Sequence, residues 1–148
     1  MQLTYEPARA EDGPVIFGFA KELIERYETD QDLDLEMALA WTKRKIEKRI
    51  DEYTRVLCDG AAAAYYRFAP DGERMELDDL YVLPEYRGRG LGRQVIRCLM
   101  DRGRQLGYDT LGVREIYDWN TGSVRCFTSC GFAPVARTDK GWRYEAKL

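Results

Sequence analysis

A run of glycines and arginines, residues 87–93, stands between an apolar stretch and an amphipathic stretch in the middle of the chain. Three glycines alternate with other residues there: Gly88, Gly90 and Gly92. Glycine allows a positive φ and close approach of other groups, so several backbone N–H groups can converge on one anion. A helix that begins near Gly90 or Leu91 would add its first-turn N–H groups and the positive end of its dipole. The turn is therefore predicted to bind a phosphate or pyrophosphate.

Spacing narrows the kind of phosphate site. In a dinucleotide-binding G-x-G-x-x-G loop that started at Gly88, the last glycine would fall on Arg93. A P-loop requires lysine after its glycines, and the chain has no lysine between Arg74 and Lys140. The pattern that remains is Arg87-x-x-Gly90-x-Gly92. A strand-to-helix turn without a ligand is the alternative interpretation.

Composition excludes several classes of protein. The 148 residues predict a single domain, 1–148, and the net charge of −3, from 23 Lys+Arg and 26 Asp+Glu, does not favour nucleic-acid binding. The chain has no histidine, which excludes Ser-His and Cys-His pairs and histidine metal sites. Its four cysteines form no C-x-x-C pair, so we expect reduced core thiols and no metal. With no eighteen-residue apolar run and no signal peptide, we expect a cytoplasmic protein that does not bind membranes.

Hydrophobic periodicity predicts the elements that must position this turn. The pattern predicts strands at 2–6, 54–58, 61–68, 73–83, 108–113, 132–135 and 141–147. Helices are predicted after Asp12, after Asp34, from Gly90 or Leu91 to Gly107, and from Asn120 to Cys130. The predicted order is β-α-α-β-β-β-α-β-α-β-β, without a linker or a repeat.

Acidic residues cluster where the first two helices are joined. The cluster consists of Glu28, Asp30, Asp32, Asp34 and Glu36, with no compensating cation among them. One interpretation is a solvated acidic loop. The other is an electrostatic collar that attracts a cationic amine.

The turn, with its surroundings, resembles the Arg/Gln-x-x-Gly-x-Gly/Ala signature of the GNAT superfamily, the acetyl-coenzyme A (acetyl-CoA) dependent N-acetyltransferases. The lead-in 77–88, Asn120 after the next strand and the helix-ending Cys130-Gly131-Phe132 also resemble that family, and the similarity covers nearly the whole chain. The resemblance implies an α+β (mixed α/β) GNAT fold, in which helices flank a central twisted sheet of mixed, mostly antiparallel strands. It also implies transfer of an acetyl group from acetyl-CoA to a primary amine, on a small molecule or a protein, by direct attack in a ternary complex.

The same resemblance assigns the cofactor contacts. It implies that the pyrophosphate is held by backbone N–H groups of the turn and that the pantetheine arm pairs with the strand before it. Asn120 would hydrogen-bond the arm from the other side, and Phe127 would lie beside the cofactor. The residues assigned to coenzyme A are Leu80, Tyr81, Val82, Arg87, Gly88, Arg89, Gly90, Leu91, Gly92, Arg93, Asn120 and Phe127. Leu80 and Val82 could equally have side chains that only fill the core.

The catalytic assignments follow from the chemistry of the amine. An alkylamine with a pKa of about 10 must lose a proton before it attacks, and a carboxylate can accept that proton. The strand before the turn offers Glu76, Asp78 and Asp79, and the spacing in the histone-modifying branch of the family favours Glu76 over Asp78. All three could instead be surface residues or salt-bridge partners.

The proton donor to the departing thiolate has several candidates. Many members of the family carry a tyrosine where this chain has Phe127. Tyr117, Tyr81 and Cys126 are the alternative donors, with Tyr117 included among the predicted catalytic residues. The other alternative is that no donor is needed, because the coenzyme A thiol is acidic enough to leave as thiolate with little help. A catalytically weak or regulatory acyl-CoA-binding module is the alternative function. An exposed final strand could pair with a second subunit in a homodimer.

Overall fold

The computed structural model describes residues 2–27 and 34–148. The chain divides into two compact units, one up to Tyr65 and the other from Tyr66 to Leu148. The strand β3 (Ala61–Asp71) runs through the boundary. Of the acidic cluster, Glu28, Asp30 and Asp32 lie outside the described residues, so the interpretation of that cluster stays a prediction.

The first unit contains two strands and two helices before β3. These are β1 (Leu3–Pro7), α1 (Gly13–Tyr27), α2 (Leu35–Lys48) and β2 (Tyr53–Cys58). β1 and β2 are antiparallel, from the pair Leu3–Cys58 to the pair Pro7–Thr54. The predicted cap of α2 is confirmed, because the Asp34 carboxylate accepts a hydrogen bond from the Met37 N–H at 3.0 Å. The turn Asp59-Gly60 joins β2 to β3, and both of its residues have a positive φ.

A buried carboxylate organises the start of α1. Asp12 ends a 3-10 turn, Ala10–Asp12, and its side chain accepts hydrogen bonds from the Arg9 N–H at 2.7 Å and from the Tyr65 hydroxyl at 3.1 Å. The Arg55 guanidinium lies 3.8 Å from the same carboxylate and also pairs with Glu6. Burial, followed by the adjacent Asp12 charge, raises the pKa of Tyr65 to about 12.

The second unit contains the rest of the sheet and two helices. After β3 come β4 (Arg74–Val82), α3 (Leu91–Gln105), β5 (Thr110–Tyr117), α4 (Thr121–Ser129), β6 (Ala133–Arg137) and β7 (Gly141–Lys147). The hydrogen-bonded strand order here is β3-β4-β5-β7-β6, with β4 parallel to β5 and with β5–β7 and β7–β6 antiparallel. The predicted order of elements and the mixed, mostly antiparallel sheet are therefore confirmed.

Helix α3 carries the apolar stripe predicted from its spacing. The stripe is buried, and each such side chain contributes roughly 1.5–3 kcal/mol by leaving water. Its members are Leu91, Val95, Ile96, Leu99 and Met100. Gly107, with a φ of +87°, follows the helix as predicted. Among the described helices, none has the length and apolar character needed to cross a membrane.

Two expectations about exposure are wrong. The final strand β7 lies between β5 and β6, so it offers no open edge to a second subunit, and β6 is the strand at that end of the order. The expectation that the cysteines are core thiols holds for Cys58, which is buried, but not for Cys98, which is exposed. Cys98 lies on α3 outside the buried stripe.

Replacing Tyr65 with phenylalanine tests the buried carboxylate. Because the pKa of Tyr65 is raised in the folded state, its contribution to stability is complete below pH 10 and is lost as the pH rises towards about 12. We expect Tyr65→Phe to lower the free energy of unfolding at pH 8 by about 1 kcal/mol, because Asp12 loses a donor. The same variant should lose less stability than the parent chain between pH 10 and 12.

Urea unfolding at pH 8 and at pH 11 measures both effects. Tyr108→Phe, at a half-buried position, is the control for the loss of any tyrosine. An identical pH dependence in the parent and in Tyr65→Phe would contradict the assignment.

Candidate functional site

The predicted phosphate turn joins the end of β4 to the start of α3. A 3-10 turn, Pro84–Tyr86, follows β4, and the backbone then passes through Gly88 and Gly90 with φ values of +77° and +79°. The N-cap residue of α3 is Gly90, which has no side-chain oxygen. The cap of this described helix therefore offers no side-chain acceptor to the N–H groups of the first turn. The first N–H groups of an α-helix have no acceptor within the helix. The turn therefore presents backbone donors to an anion.

Gly92 serves a purpose different from the one predicted. It lies inside α3 with ordinary helical backbone, so the expectation of a positive φ is wrong at this position. A Cβ at Gly92 would lie 3.2 Å from the Cys126 Sγ of α4. Glycine is favoured here because it allows α4 to approach the first turn of α3.

Two of the turn's arginine side chains are held by neighbouring groups. The Arg87 Nε donates to the Val82 carbonyl at 2.9 Å, which fastens the turn to the end of β4. The Arg89 guanidinium lies over the Tyr86 ring, 5.8 Å from its centroid. Arg93 is exposed, and the Leu91 side chain is buried. These contacts favour the backbone of the turn over its side chains as the anion-binding group.

The parallel ladder between β4 and β5 is short. It joins Met75 with Leu111 and Glu76 with Gly112, and the described remainder of β4 pairs with no residue of β5. Asp79 has a φ of +55°, which interrupts the regular strand at this point. Leu80, Tyr81 and Val82 are half-buried and lie beyond the interruption. An extended ligand could thus lie along this part of β4, on the side towards β5.

The two favoured carboxylates both pair with arginines. Glu76 is 8% exposed, and its two oxygens accept from Arg143 at 2.6 Å (Nη2 to Oε1) and 3.3 Å (Nη1 to Oε2). Asp78 accepts from the Arg67 Nη1 at 2.8 Å. The hydrogen bonds to Glu76 and Glu145 raise the pKa of Arg143 above its ordinary value, although burial acts in the opposite direction.

The remaining residues assigned to the site lie on β5 and on α4 with its N-cap. The Tyr117 ring stacks on Trp119, with centroids 5.3 Å apart. Asn120 caps α4, because its Oδ1 accepts from the Ser123 N–H at 3.2 Å. Phe127 is buried and meets Phe132 edge-to-face at 5.1 Å, so its ring packs in the core of this unit.

The other two potential proton donors also have neighbours. The Tyr81 hydroxyl donates to the Asp79 carboxylate at 3.2 Å. Burial, together with the neighbouring Cys130, raises the pKa of Cys126, while Arg93 acts in the opposite direction. The assignment of a donor to the thiolate therefore stays a prediction.

Sequence reasoning missed Arg143 and Gly112, which surround Glu76. Arg143 reaches Glu76 from 67 positions further along the chain, on a strand whose place in the sheet follows from topology. One local signal was present. Arg143 and Glu145 are two residues apart in a strand, so their side chains share one face, and such charges on a central strand require partners.

A family model agrees with this arrangement. Residues 17–132 match the model described as the acetyltransferase (GNAT) family. Two solved structures are similar over the whole chain. One is the PaiA N-acetyltransferase of Thermoplasma acidophilum in complex with coenzyme A, with a TM-score of 0.79, 16% identity and 100% coverage of both chains. The other is YncA, a putative acetyltransferase of Salmonella typhimurium with acetyl-CoA, with a TM-score of 0.65, 22% identity and coverage of 100% and 95%.

Curated relatives add sequence similarity. An amino-acid acetyltransferase of Pseudomonas putida is 35% identical over 63% of this chain, which spans only 21% of that relative. A thialysine N-epsilon-acetyltransferase of Mus musculus is 28% identical over 48% of this chain and 41% of the relative. The L-methionine sulfoximine/L-methionine sulfone acetyltransferase of Salmonella typhimurium is 29% identical over 73% of this chain and 65% of the relative.

Two substitutions at Asn120 separate its capping role from the predicted ligand contact. Asn120→Ala removes the cap, so we expect it to lower the free energy of unfolding by about 1 kcal/mol. Asn120→Ser retains a capping oxygen and should leave stability nearly unchanged, but it lacks the amide NH₂ group. Urea unfolding measures the first effect, and calorimetric titration with coenzyme A measures the second.

If Asn120 contacts the ligand, both variants should bind coenzyme A more weakly than the parent chain. Parental affinity in Asn120→Ser would restrict the residue to capping α4.

Proposed function

Because the chain belongs to the GNAT family of acetyltransferases, we propose that it transfers an acetyl group from acetyl-CoA to a primary amine by direct attack in a ternary complex. The observation that carries this proposal is the turn between β4 and α3. Its left-handed glycines, Gly88 and Gly90, and the helix start without a side-chain cap suit a pyrophosphate. The β4–β5 ladder ends after Glu76, which leaves room for the pantetheine arm beside residues 80–82.

The bound acetyl-CoA would supply the thioester carbonyl that the amine attacks. The protein holds the pyrophosphate through backbone N–H groups of residues 88–93 and aligns the arm along Leu80, Tyr81 and Val82. Asn120 adds its amide NH₂ group from α4. Glu76 accepts the proton that the acceptor amine must lose, directly or through water, with Asp78 as the second candidate. A backbone N–H near Tyr81 or Val82 stabilises the charge that develops on the carbonyl oxygen.

The acceptor we propose is a small amine of the amino-acid type. The names of three relatives that differ in length and coverage all describe amino acids or their analogues as acceptors. The proposal retains the cytoplasmic location that the sequence predicts. A homodimer also stays a prediction, and it would have to use an edge other than β7.

The contacts of the predicted catalytic residues favour a second function. Glu76 and Asp78 are both paired with arginines, and Phe127 is a core residue that cannot donate a proton. These contacts suit an acyl-CoA-binding module with little or no turnover. Both functions require an intact turn, and they differ in whether any amine is acetylated.

Release of free coenzyme A from acetyl-CoA distinguishes the two functions. The acceptor panel contains amino acids, lysine analogues, polyamines, aminoglycosides and peptides, each at two pH values. Turnover with one class supports the enzyme and identifies the acceptor class. Tight binding of acetyl-CoA without turnover supports the binding module, and absence of binding contradicts both.

Gly90 allows a matched test of the turn. Asparagine and aspartate have nearly the same shape, and both tolerate a positive φ better than most residues do. We expect Gly90→Asp to abolish coenzyme A binding, because its carboxylate would meet the pyrophosphate, where two unit charges 4 Å apart repel by about 4 kcal/mol at an effective dielectric of 20. Gly90→Asn controls for size and backbone strain and should retain more affinity. Equal affinities of the two variants in calorimetric titration would exclude the pyrophosphate from this turn.

Replacing Glu76 with glutamine tests its assignment as the base. We expect Glu76→Gln to lower kcat at pH 7 by roughly 10²–10⁴-fold, the range typical of general-base catalysis. Raising the pH should restore part of the rate, because a larger fraction of the acceptor amine is then deprotonated by the solvent and needs no base from the protein. The rate is measured against pH for the parent chain and the variant, and superimposable profiles would remove Glu76 from the mechanism.

A further inference from the structure

The space around Glu76 is shaped by three neighbouring strands. Gly112 of β5 pairs with Glu76 of β4 on one side and with Glu145 of β7 on the other. Arg143 lies two residues before Glu145 on β7, so the two side chains emerge on the same face of the sheet. The guanidinium of Arg143 reaches past β5 to the carboxylate of Glu76, where its nearer nitrogen lies at 2.6 Å.

This reach depends on the absence of a side chain at Gly112. A Cβ there would lie 2.2 Å from the Arg143 Nη2, 3.0 Å from its Cζ and 2.9 Å from the Glu76 Oε2. Distances below about 3 Å are not tolerated by packed carbon atoms, and the φ of Gly112 is not in the left-handed region. These atoms are the ends of flexible side chains, so a side chain at this position would displace Arg143 and Glu76 from their observed contact, while the backbone conformation does not call for glycine.

The pair belongs to a longer network. The Arg143 Nε donates to the Glu145 carboxylate at 2.9 Å, which also lies 3.1 Å from the Arg74 Nη1. The side chain of Glu76 is only 10% exposed and that of Arg143 only 17%. Arg143 is thus the cation that compensates the buried Glu76.

We infer that Arg143 is a positioning residue for Glu76. It holds the carboxylate in place through two hydrogen bonds and serves as its counter-ion, at the point where β4 and β5 stop pairing. This inference rests on the proposed function, in which Glu76 is the base that receives the proton of the acceptor amine. Arg143 itself stays protonated throughout and acts through Glu76.

Among the described charged groups of the second unit, Arg143 is the cation that pairs with the Glu76 carboxylate. β5 contributes Gly112, and β3 contributes Arg67, which is paired with Asp78. The residues that α3 buries are apolar or glycine. The other charged residues on the second unit's described strands around Glu76 are Arg67 and Asp71 on β3, Arg74, Asp78 and Asp79 on β4, Arg114 and Glu115 on β5, and Arg143, Glu145 and Lys147 on β7. Of these, Arg143 donates the hydrogen bonds described to the Glu76 carboxylate.

The titration of the Glu76 carboxyl group tests the inference without requiring turnover. Carboxyl signals of ¹³C-labelled glutamate are followed by NMR against pH, and the Glu76 signal is identified by its absence in Glu76→Gln. In Arg143→Met the buried carboxylate loses its counter-ion, so we expect its signal to change over a range about one pH unit higher, or more, than in the parent chain. An unchanged range in this variant would overturn the inference.

Three further variants keep the test valid if Arg143→Met does not fold. Arg143→Lys retains the charge but not the two-point contact. We therefore expect the pH range of the Glu76 titration to move upward, but by less than in Arg143→Met. Gly112→Ala displaces Arg143 without changing any charge and should also shift the range upward. Glu145→Gln removes the carboxylate that competes for Arg143, so it should move the range downward or leave it in place. An upward shift with Glu145→Gln, or none with Gly112→Ala and Arg143→Lys, would contradict the assignment.

A double substitution tests the dependence on Gly112. If Gly112 is needed only to admit Arg143, adding Gly112→Ala to Arg143→Met should shift the titration by little more than Arg143→Met alone. Independent, additive shifts would show that Gly112 acts on Glu76 by another route.

Activity provides the comparison with the proposed function. With an acceptor in hand, the acidic limb of kcat/KM against pH should move upward in Arg143→Met and Gly112→Ala, while acetyl-CoA affinity stays at the parental value. If the parent chain binds acetyl-CoA and acetylates nothing, the proposed function fails, and the NMR titration still decides whether Arg143 controls Glu76. If turnover occurs and the limb does not move, the positioning role fails and the proposed function stands.

Discussion

Backbone pairing between β4 and β5 lasts for two residue pairs, and the arrangement of the site depends on where it stops. Parallel strands that pair throughout would leave no polar backbone for an extended ligand between them. Here the ladder ends at Glu76 and Gly112, and Asp79 then takes a positive φ. Residues 80–82 lead from there into the glycine turn, where Arg87 binds the Val82 carbonyl. One interruption therefore places an unpaired strand edge and the glycine turn, which we propose to bind the pyrophosphate, in succession.

The ion pair at the end of the ladder has an energetic cost that stability alone does not justify. Removing two charges from water is expensive, and well-packed apolar residues of the same volume are often as stabilising as a buried pair or more so. Glu76 and Arg143 are both largely withdrawn from solvent, and Gly112 gives up its own side-chain packing to admit them. A carboxylate paired with a cation at the end of the β4–β5 ladder is the feature that an apolar replacement would lack.

Local patterns predicted the elements well, and long-range contacts explain what they missed. The helix caps Asp34 and Asn120 and the glycines at 88 and 90 are determined by neighbours a few residues away, so the sequence predicted them. The partner of Glu76 lies 67 positions away and could not be read from spacing. The expectation of an open final strand failed for the same reason, because β7 inserts between β5 and β6 in an order that departs from the chain order.

The replacement of the family's usual tyrosine by Phe127 is consistent with the difference in difficulty between the two proton transfers. A thiol with a pKa of about 8.5 leaves as thiolate near neutral pH, whereas an amine with a pKa of about 10 is almost wholly protonated there. The side chains at the two positions differ in the same sense as these pKa values. Phe127 is buried against Phe132 and contributes packing, while Glu76 hydrogen-bonds Arg143 in the space beside Gly112. In the mechanism we propose, charged side chains therefore surround the group that accepts the proton, whereas the step that needs an acid has little support from the described side chains.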